Sequence, residues 1–186
     1  MVARLTDDEF FQLCQDNPTL NLERTAQHDI MFRSPAGSDS SASSGEGYGQ
    51  LWLWNRQTKL GQTYESSAGF TLPNGAVRSP DAAWLSNAQF DQLTAEQRRK
   101  FPPVCPEFVL EVKSPSDRLK DLQAKMEEYL ANGVQLGFLL DVEAEMAYIY
   151  RAGQPAETVT GYEQELSGEP VLPGFRLDLR PLRRLR

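Results

Sequence analysis

Histidine is almost absent: His28 is the only one in 186 residues. That scarcity excludes several chemistries. A Ser-His-Asp triad would have to use His28, and no Gly-x-Ser-x-Gly elbow presents a nucleophile. Cysteine is nearly as rare. Cys14 and Cys105 stand far apart without partners at ligand spacing, so a zinc site of the usual Cys/His kind lacks ligands. Free, buried thiols are the expectation. No apolar run is long enough to cross a bilayer, and the first nine residues turn acidic without a signal-type apolar core. A cytoplasmic location is expected. Positive charge is also short, with 19 Lys and Arg against 26 Asp and Glu and a net charge of -7. Phosphate contacts need cations, so this balance argues against a broad nucleic-acid surface and leaves room for a local basic groove. Arg98, Arg99 and Lys100 form one basic run, and Arg180, Arg183, Arg184 and Arg186 another; each alone reads as a solvated helix face or a tail. The remaining chemistry is that of carboxylates, lysine and a hard metal ion.

What is present reads as a single mixed α/β domain over residues 1–186. Thr6 and Glu9 hold capping-box positions for a helix over 6–14, which Asn17-Pro18 stops. Residues 20–25 and 29–33 read as two strands, 34–44 as a polar loop, and about 46–57 as a helix. Gly45, Gly47 and Gly49 superficially suggest a phosphate loop. They follow a polar stretch, not an apolar strand, and lack the Gly-Lys-Ser/Thr ending, so nucleotide binding is rejected. Residues 62–72 and 78–85 are extended and joined at Pro73-Asn74-Gly75, where Asn-Gly suits a hairpin turn. Residues 87–100 read as helix or helix-turn, and 108–113 as a short apolar strand between Pro106 and Pro115. The clearest helix covers 118–132, with Leu119, Leu122, Met126, Tyr129 and Leu130 on one face. A buried strand over 134–142, its partner over 146–151, and extended edge pieces complete the chain. Trp52, Trp54 and Trp84 are expected in the core.

The informative segment is Phe108-Val109-Leu110-Glu111-Val112-Lys113. Side chains alternate along a strand, so Val109, Glu111 and Lys113 share a face opposite Phe108, Leu110 and Val112. Two charges on an apolar strand need a reason, because burying them unpaired is costly. A Glu-Lys pair at a strand end is the plain alternative. Asp81 shifts the balance: Pro80-Asp81 enters a second strand, although as a lone dipeptide it is a common turn. A Pro-Asp strand entry followed by Glu-x-Lys in an apolar strand is the signature of PD-(D/E)XK nucleases. Two carboxylates on adjacent strands suit Mg²⁺ (or Mn²⁺), and a lysine beside them can orient water and stabilise phosphoryl charge.

The resemblance extends to Leu51-Trp52-Leu53-Trp54-Asn55, to Ser66 through Gly75, to Arg78-Ser79-Pro80-Asp81-Ala82, to 108–116, and to Lys125, Tyr129, Gly133 and Val134. Together these resemble the Uma-two family, which is restriction-endonuclease-like, and the resemblance implies a domain core over about 20–179. Many of its members carry another residue where this chain has Lys113, so the full Glu-x-Lys strengthens the nuclease reading. The resemblance implies a central mixed sheet flanked by helices, with an N-terminal hairpin added. It also implies a metal-dependent endonuclease acting on DNA, with Asp81 and Glu111 on the metal, Lys113 positioning water, and possible homodimers. A further acid on the helix before the core is common in this fold. Glu46 is that candidate, and a carboxylate stabilising the helix dipole is its equal alternative. Glu23 reads more simply as an exposed strand-end acid. Asp121, Lys125 and Tyr129 share a helix face; an ordinary Asp-Lys pair is preferred, and Lys125 approaching a DNA phosphate or Glu111 is the sharper alternative. A non-catalytic module keeping the fold and a hydrolase of another phosphoester remain the rival functions.

Overall fold

The computed structural model describes residues 4–185. Helix α1 (Asp7–Asp16) opens with the expected capping box: the Thr6 hydroxyl accepts from the Glu9 N–H, and the Glu9 carboxylate accepts from the Thr6 N–H. Strands β1 (Asn21–Arg24) and β2 (Ile30–Arg33) form an antiparallel hairpin. The next helix corrects the expected loop, because α2 runs Ser38–Thr58. Its three glycines weaken local helix preference. Tertiary packing overrides that, since Ser43, Gly47, Leu51 and Trp54 form one buried face. The hydroxyls of Ser43 and Ser44 donate back to the carbonyls of Asp39 and Ser40, which keeps a serine-rich turn helical.

Strand β3 (Gly61–Glu65) leads to a short hairpin of β4 (Phe70–Thr71) and β5 (Val77–Arg78), where Gly75 has φ of +85°. The expected single strand over 78–85 is two strands. β5 ends at Arg78, and β6 (Ala82–Ser86) begins after Ser79-Pro80-Asp81. Pro80 has no N–H and a fixed φ, so the ladder breaks there and the chain changes sheets. Strand β5 belongs to a four-stranded sheet of order β2-β1-β5-β4. The expected helix over 87–100 is also interrupted. α3 spans only Asn87–Phe90, and Thr94 and Gln97 then cap each other to start a separate short turn.

Strand β7 (Phe108–Val112) is fully buried. Helix α4 (Leu119–Ala131) follows, ending at Asn132 before Gly133 with φ of +116°. It carries the chain back to β8 (Leu136–Asp141), which pairs with β7 in parallel, the geometry that requires such a crossover. Strands β9 (Met146–Arg151) and β10 (Glu157–Thr160) extend the sheet, giving six strands in the order β10-β9-β8-β7-β6-β3. A last pair, β11 (Glu165–Ser167) and β12 (Arg176–Asp178), packs beside α2.

Two apolar layers sandwich the six-stranded sheet. On one side Phe108, Leu110 and Val112 meet Leu51 and Trp54 of α2. Gly47 is required there, because a Cβ would lie 2.4 Å from Leu110 Cδ2. On the other side Ala83 and Val109 meet Met126 and Tyr129 of α4. Trp54 and Trp84 are core, as expected, in an edge-to-face contact at 5.8 Å. Trp52 is the correction: it is 41% exposed. Cys14 and Cys105 are free thiols, and no described helix is long and apolar enough to cross a membrane.

Candidate active site

The register of β6 and β7 pairs Ala82 with Leu110, so the next antiparallel step sets Asp81 opposite Glu111. Both lie on the α4 face by alternation with Ala83 and Val109. Asp81 is held by one oxygen: the Val112 N–H donates to its Oδ2 at 2.7 Å. Its other oxygen is 3.6 Å from Arg33 Nη2. Glu111 is 1% exposed. Its Oε1 accepts from Lys125 Nζ at 2.7 Å and from the Tyr129 hydroxyl at 2.9 Å.

The third carboxylate is Glu23, not Glu46. Strand β1 pairs Arg24 with Val77, which brings Glu23 across from Arg78, and their side chains pair at 3.1 Å. Lys125 Nζ lies 3.0 Å from Glu23 Oε1, and Arg33 Nη1 lies 3.4 Å from the same oxygen. The Ser79 N–H donates to Glu23 as well. Lys125 therefore bridges Glu23 and Glu111, and the spacing of Lys125 and Tyr129 on α4 serves Glu111; Asp121 is exposed and bonds to neither. Glu46 is elsewhere: its carboxylate accepts from Gln50, whose amide also binds the backbone of Asp178 in β12. Its position on α2 puts it on the side of the sheet away from α4. Because α2 starts at Ser38, Glu46 lies in mid-helix and is not the N-terminal acid expected, whereas Glu23 needed the tertiary placement of β1 to be found.

Lys113 lies just beyond β7, with its N–H donating to the Leu140 carbonyl. Its Nζ is 3.5 Å from Asp141 Oδ2 at the end of β8. Among the described residues it makes no ion pair or hydrogen bond with Asp81, Glu111 or Glu23, and it lines a cavity with Asp39, Ser43 and Val112 beside α2, a placement that strand alternation with Glu111 did not anticipate.

Burial dominates the electrostatics. It raises the Glu111 carboxyl above its usual range, and neighbouring Asp81 adds to the rise against the pull of Lys125. Burial likewise raises Asp81, against the Val112 N–H and Arg33. Glu23 goes the other way. Burial pushes it up, but Lys125, Arg33 and Arg78 outweigh that and hold it at about 2. For Lys125, burial favours the neutral amine, yet Glu111 and Glu23 keep it charged and raise its pKa. Tyr129 is raised by burial and by Glu111, so it stays a donor.

Among the described residues no group of three or more His, Cys, Asp and Glu side chains stands ready to hold a metal. The donor set that is present fits Mg²⁺ or Mn²⁺ rather than zinc. Asp81 and Glu111 are hard oxygen ligands on facing strands, and Mg²⁺ binds through one or two carboxylates while keeping several waters. A cation would also offset the burial that disfavours both carboxylates as anions.

The sequence matches the Uma2 family, described as "Putative restriction endonuclease", over residues 7–180. The chain belongs to the Uma2 family. Its fold is shared with a protein from Anabaena variabilis ATCC 29413 described as a "putative nuclease belonging to DUF820". The TM-score is 0.79 at 16% identity, over 97% of this chain and 98% of that one. No curated protein matches the sequence. Membership supports a nuclease role in general and agrees with the restriction-endonuclease-like reading of the fold.

In this Uma2 chain the basic runs are largely neutralised. Lys100 pairs with Asp8 and Glu96, Arg98 stacks on Phe90 at 4.9 Å, Arg180 pairs with Asp178 and Glu165, and Arg183 pairs with Glu145 and Glu163. The Arg184 side chain and Arg186 lie outside the described residues. The N-terminal hairpin is more than an addition, since it supplies Glu23 and Arg33 to the site.

Proposed function

We propose that this protein is a metal-dependent endonuclease that hydrolyses DNA phosphodiester bonds in the cytoplasm. Asp81 and Glu111 would hold Mg²⁺ or Mn²⁺. The observation that carries this reading is the placement of Asp81 opposite Glu111 on a buried sheet face, with Lys125 bonded to Glu111. Bound there, the cation supplies Lewis-acid polarisation of the phosphoryl group and a water of lowered pKa. The protein's own groups do the rest. Tyr129 and Lys125 fix the Glu111 carboxylate, and the Val112 N–H fixes Asp81, so neither has to reorganise during the reaction. Lys113, tethered by Asp141, orients the attacking water and stabilises charge on the phosphoryl oxygens as one P–O ester bond breaks. Lys125 is the cation nearest to a phosphate seated over Glu111. Two free thiols support the cytoplasmic location.

The test is cleavage of supercoiled plasmid with Mg²⁺, Mn²⁺ or EDTA, alongside calorimetric titration of each cation. Wild type should cut only with a cation. Glu111→Gln and Asp81→Asn should each lose about 100-fold or more of the rate, and Lys113→Ala should lose rate while cation binding survives. Absence of cation binding, or variants that cut as well as wild type, would overturn the reading. One observation favours a non-catalytic module that keeps the fold: Lys125 already satisfies both Glu23 and Glu111. DNA or protein binding without cleavage would select that module. Turnover of a generic phosphodiester but not of oligonucleotides would select a different phosphoester.

A further inference from the structure

Asp81 and Glu111 each keep one oxygen bonded and one open. Asp81 Oδ2 takes the Val112 N–H, and Glu111 Oε1 takes both Lys125 and Tyr129. Among the described residues no hydrogen bond reaches Asp81 Oδ1 or Glu111 Oε2. The cation on the open side is Arg33. Its Nη2 lies 3.6 Å from Asp81 Oδ1 and its Nη1 3.4 Å from Glu23 Oε1. Its closest bond goes to a neutral group, the Ser79 carbonyl. Burial opposes its charge, and Glu111, Glu23 and Asp81 more than offset that. Lys125 is held more firmly, at 2.7 Å and 3.0 Å from two carboxylates. Its side chain is 11% exposed, against 33% for Arg33. Their supports differ too. Lys125 belongs to a helix docked on the core, whereas Arg33 ends the four-residue edge strand β2, next to exposed Met31 and Phe32.

We propose, resting on the metal-dependent reading of this site, that Arg33 is a displaceable counter-ion: it stands beside Asp81 until a metal binds, then turns to grip the DNA phosphate. Once Asp81 and Glu111 give their open oxygens to a divalent cation, Arg33 loses its acidic partner there and is repelled. The charges of the site point the same way. Glu23, Asp81, Glu111 and Glu128 meet Arg33, Arg78 and Lys125 in one connected set of ion pairs, which leaves one negative charge in excess. A divalent cation turns that into one positive charge in excess, and a single phosphodiester balances it. Arg33 is the cation that can leave. Arg78 is 2.6 Å from Glu128 and 3.1 Å from Glu23 with its side chain 11% exposed, and Lys125 is clamped by two acids. Arg33 alone combines long carboxylate contacts with an exposed way out. Its planar fork then matches two phosphate oxygens.

Two binding measurements on the full chain test this. Mn²⁺ is titrated by calorimetry without DNA, and a fluorescent DNA duplex by anisotropy in EDTA or in Ca²⁺, which takes the same kind of oxygen ligand. Arg33→Gln should bind Mn²⁺ about tenfold more tightly than wild type, having no counter-ion to displace. Its duplex affinity should match wild type in EDTA and fall about tenfold in Ca²⁺. A cation fixed on the surface would weaken duplex binding equally in both buffers, and a damaged fold would weaken Mn²⁺ binding as well. Should Arg33→Gln lose the wild-type far-UV spectrum, Arg33→Lys carries the test. It keeps the charge and loses the fork, so duplex affinity should fall several-fold in Ca²⁺ and hold in EDTA. Mn²⁺ binding by Arg33→Gln no tighter than wild type overturns the role of Arg33 and leaves the metal site standing. So does a duplex loss that is the same in both buffers, or a wild type that binds no duplex in Ca²⁺. A wild type that binds no Mn²⁺ overturns the metal reading and this role together.

Discussion

On the α2 side of β7, Phe108, Leu110 and Val112 pack against Leu51 and Trp54, and Gly47, having no Cβ, leaves room for Leu110. On the α4 side the same strand places Glu111 in the sheet interior, answered by Lys125 and Tyr129 from α4 and set beside Asp81 from β6. Both faces of β7 are buried. One is held by burial of apolar surface, worth about 1.5–3 kcal/mol for a leucine side chain. The other keeps charges where an apolar side chain would do more for stability, because a buried ion pair rarely outperforms its hydrophobic replacement. Charges held on the central strand at the expense of stability are what the proposed active site would require.

The largest effect should come from breaking the charged face on one side only. Lys125→Met leaves Glu111 and Glu23 without their shared cation, and should destabilise the fold by about 4 kcal/mol in urea melts near neutral pH. Adding Glu111→Leu should recover most of that loss while activity stays absent. If the double variant were no more stable than the single one, the charged face would be structural after all. On the apolar face, Leu110→Ala should cost about 3 kcal/mol, the transfer loss plus a cavity, with no rescue from changes at Lys125.

Acid titration gives the next effect. Glu23 is held at about 2, below its ordinary value of 4.5, so its contribution is present above about pH 4.5 and is lost as pH falls toward about 2. Glu111 and Asp81 are raised by burial and act with the opposite sign, costing stability as pH rises through and above the usual carboxylate range. Comparing wild type with Glu23→Gln in urea melts over that acid window should show wild type losing about 2 kcal/mol more. The smallest effect comes from a glycine of α2. Gly47→Ala should destabilise by about 1 kcal/mol, because the clash with Leu110 outweighs the gain in helix preference.

Much of this site was legible in the sequence. Alternation along 108–113 put Glu111 on a face apart from Leu110, and Pro80-Asp81 marked a strand entry; the structure sets Asp81 opposite Glu111. What failed to show depended on distant packing. The polar run over 34–44 read as loop because serine and glycine compete with helix locally, and only burial against β7 made Ser38–Thr58 one helix. Glu23 resembled an exposed strand-end acid until β1 was laid beside β5. Lys125 resembled half of an Asp-Lys pair until α4 was docked over Glu111.

The sequence by itself determined which chemistry was available: one histidine and two unpaired cysteines leave carboxylates and lysines to act, and strand alternation fixes which of them share a face. Tertiary structure alone decided which charges meet. Residues as far apart as Glu23, Asp81, Glu111 and Lys125 become neighbours only through sheet register and helix docking. The physical reason is that local preference acts over a few residues, whereas the burial that raises Glu111 and Asp81, and the cations that hold Glu23 at about 2, belong to the assembled core.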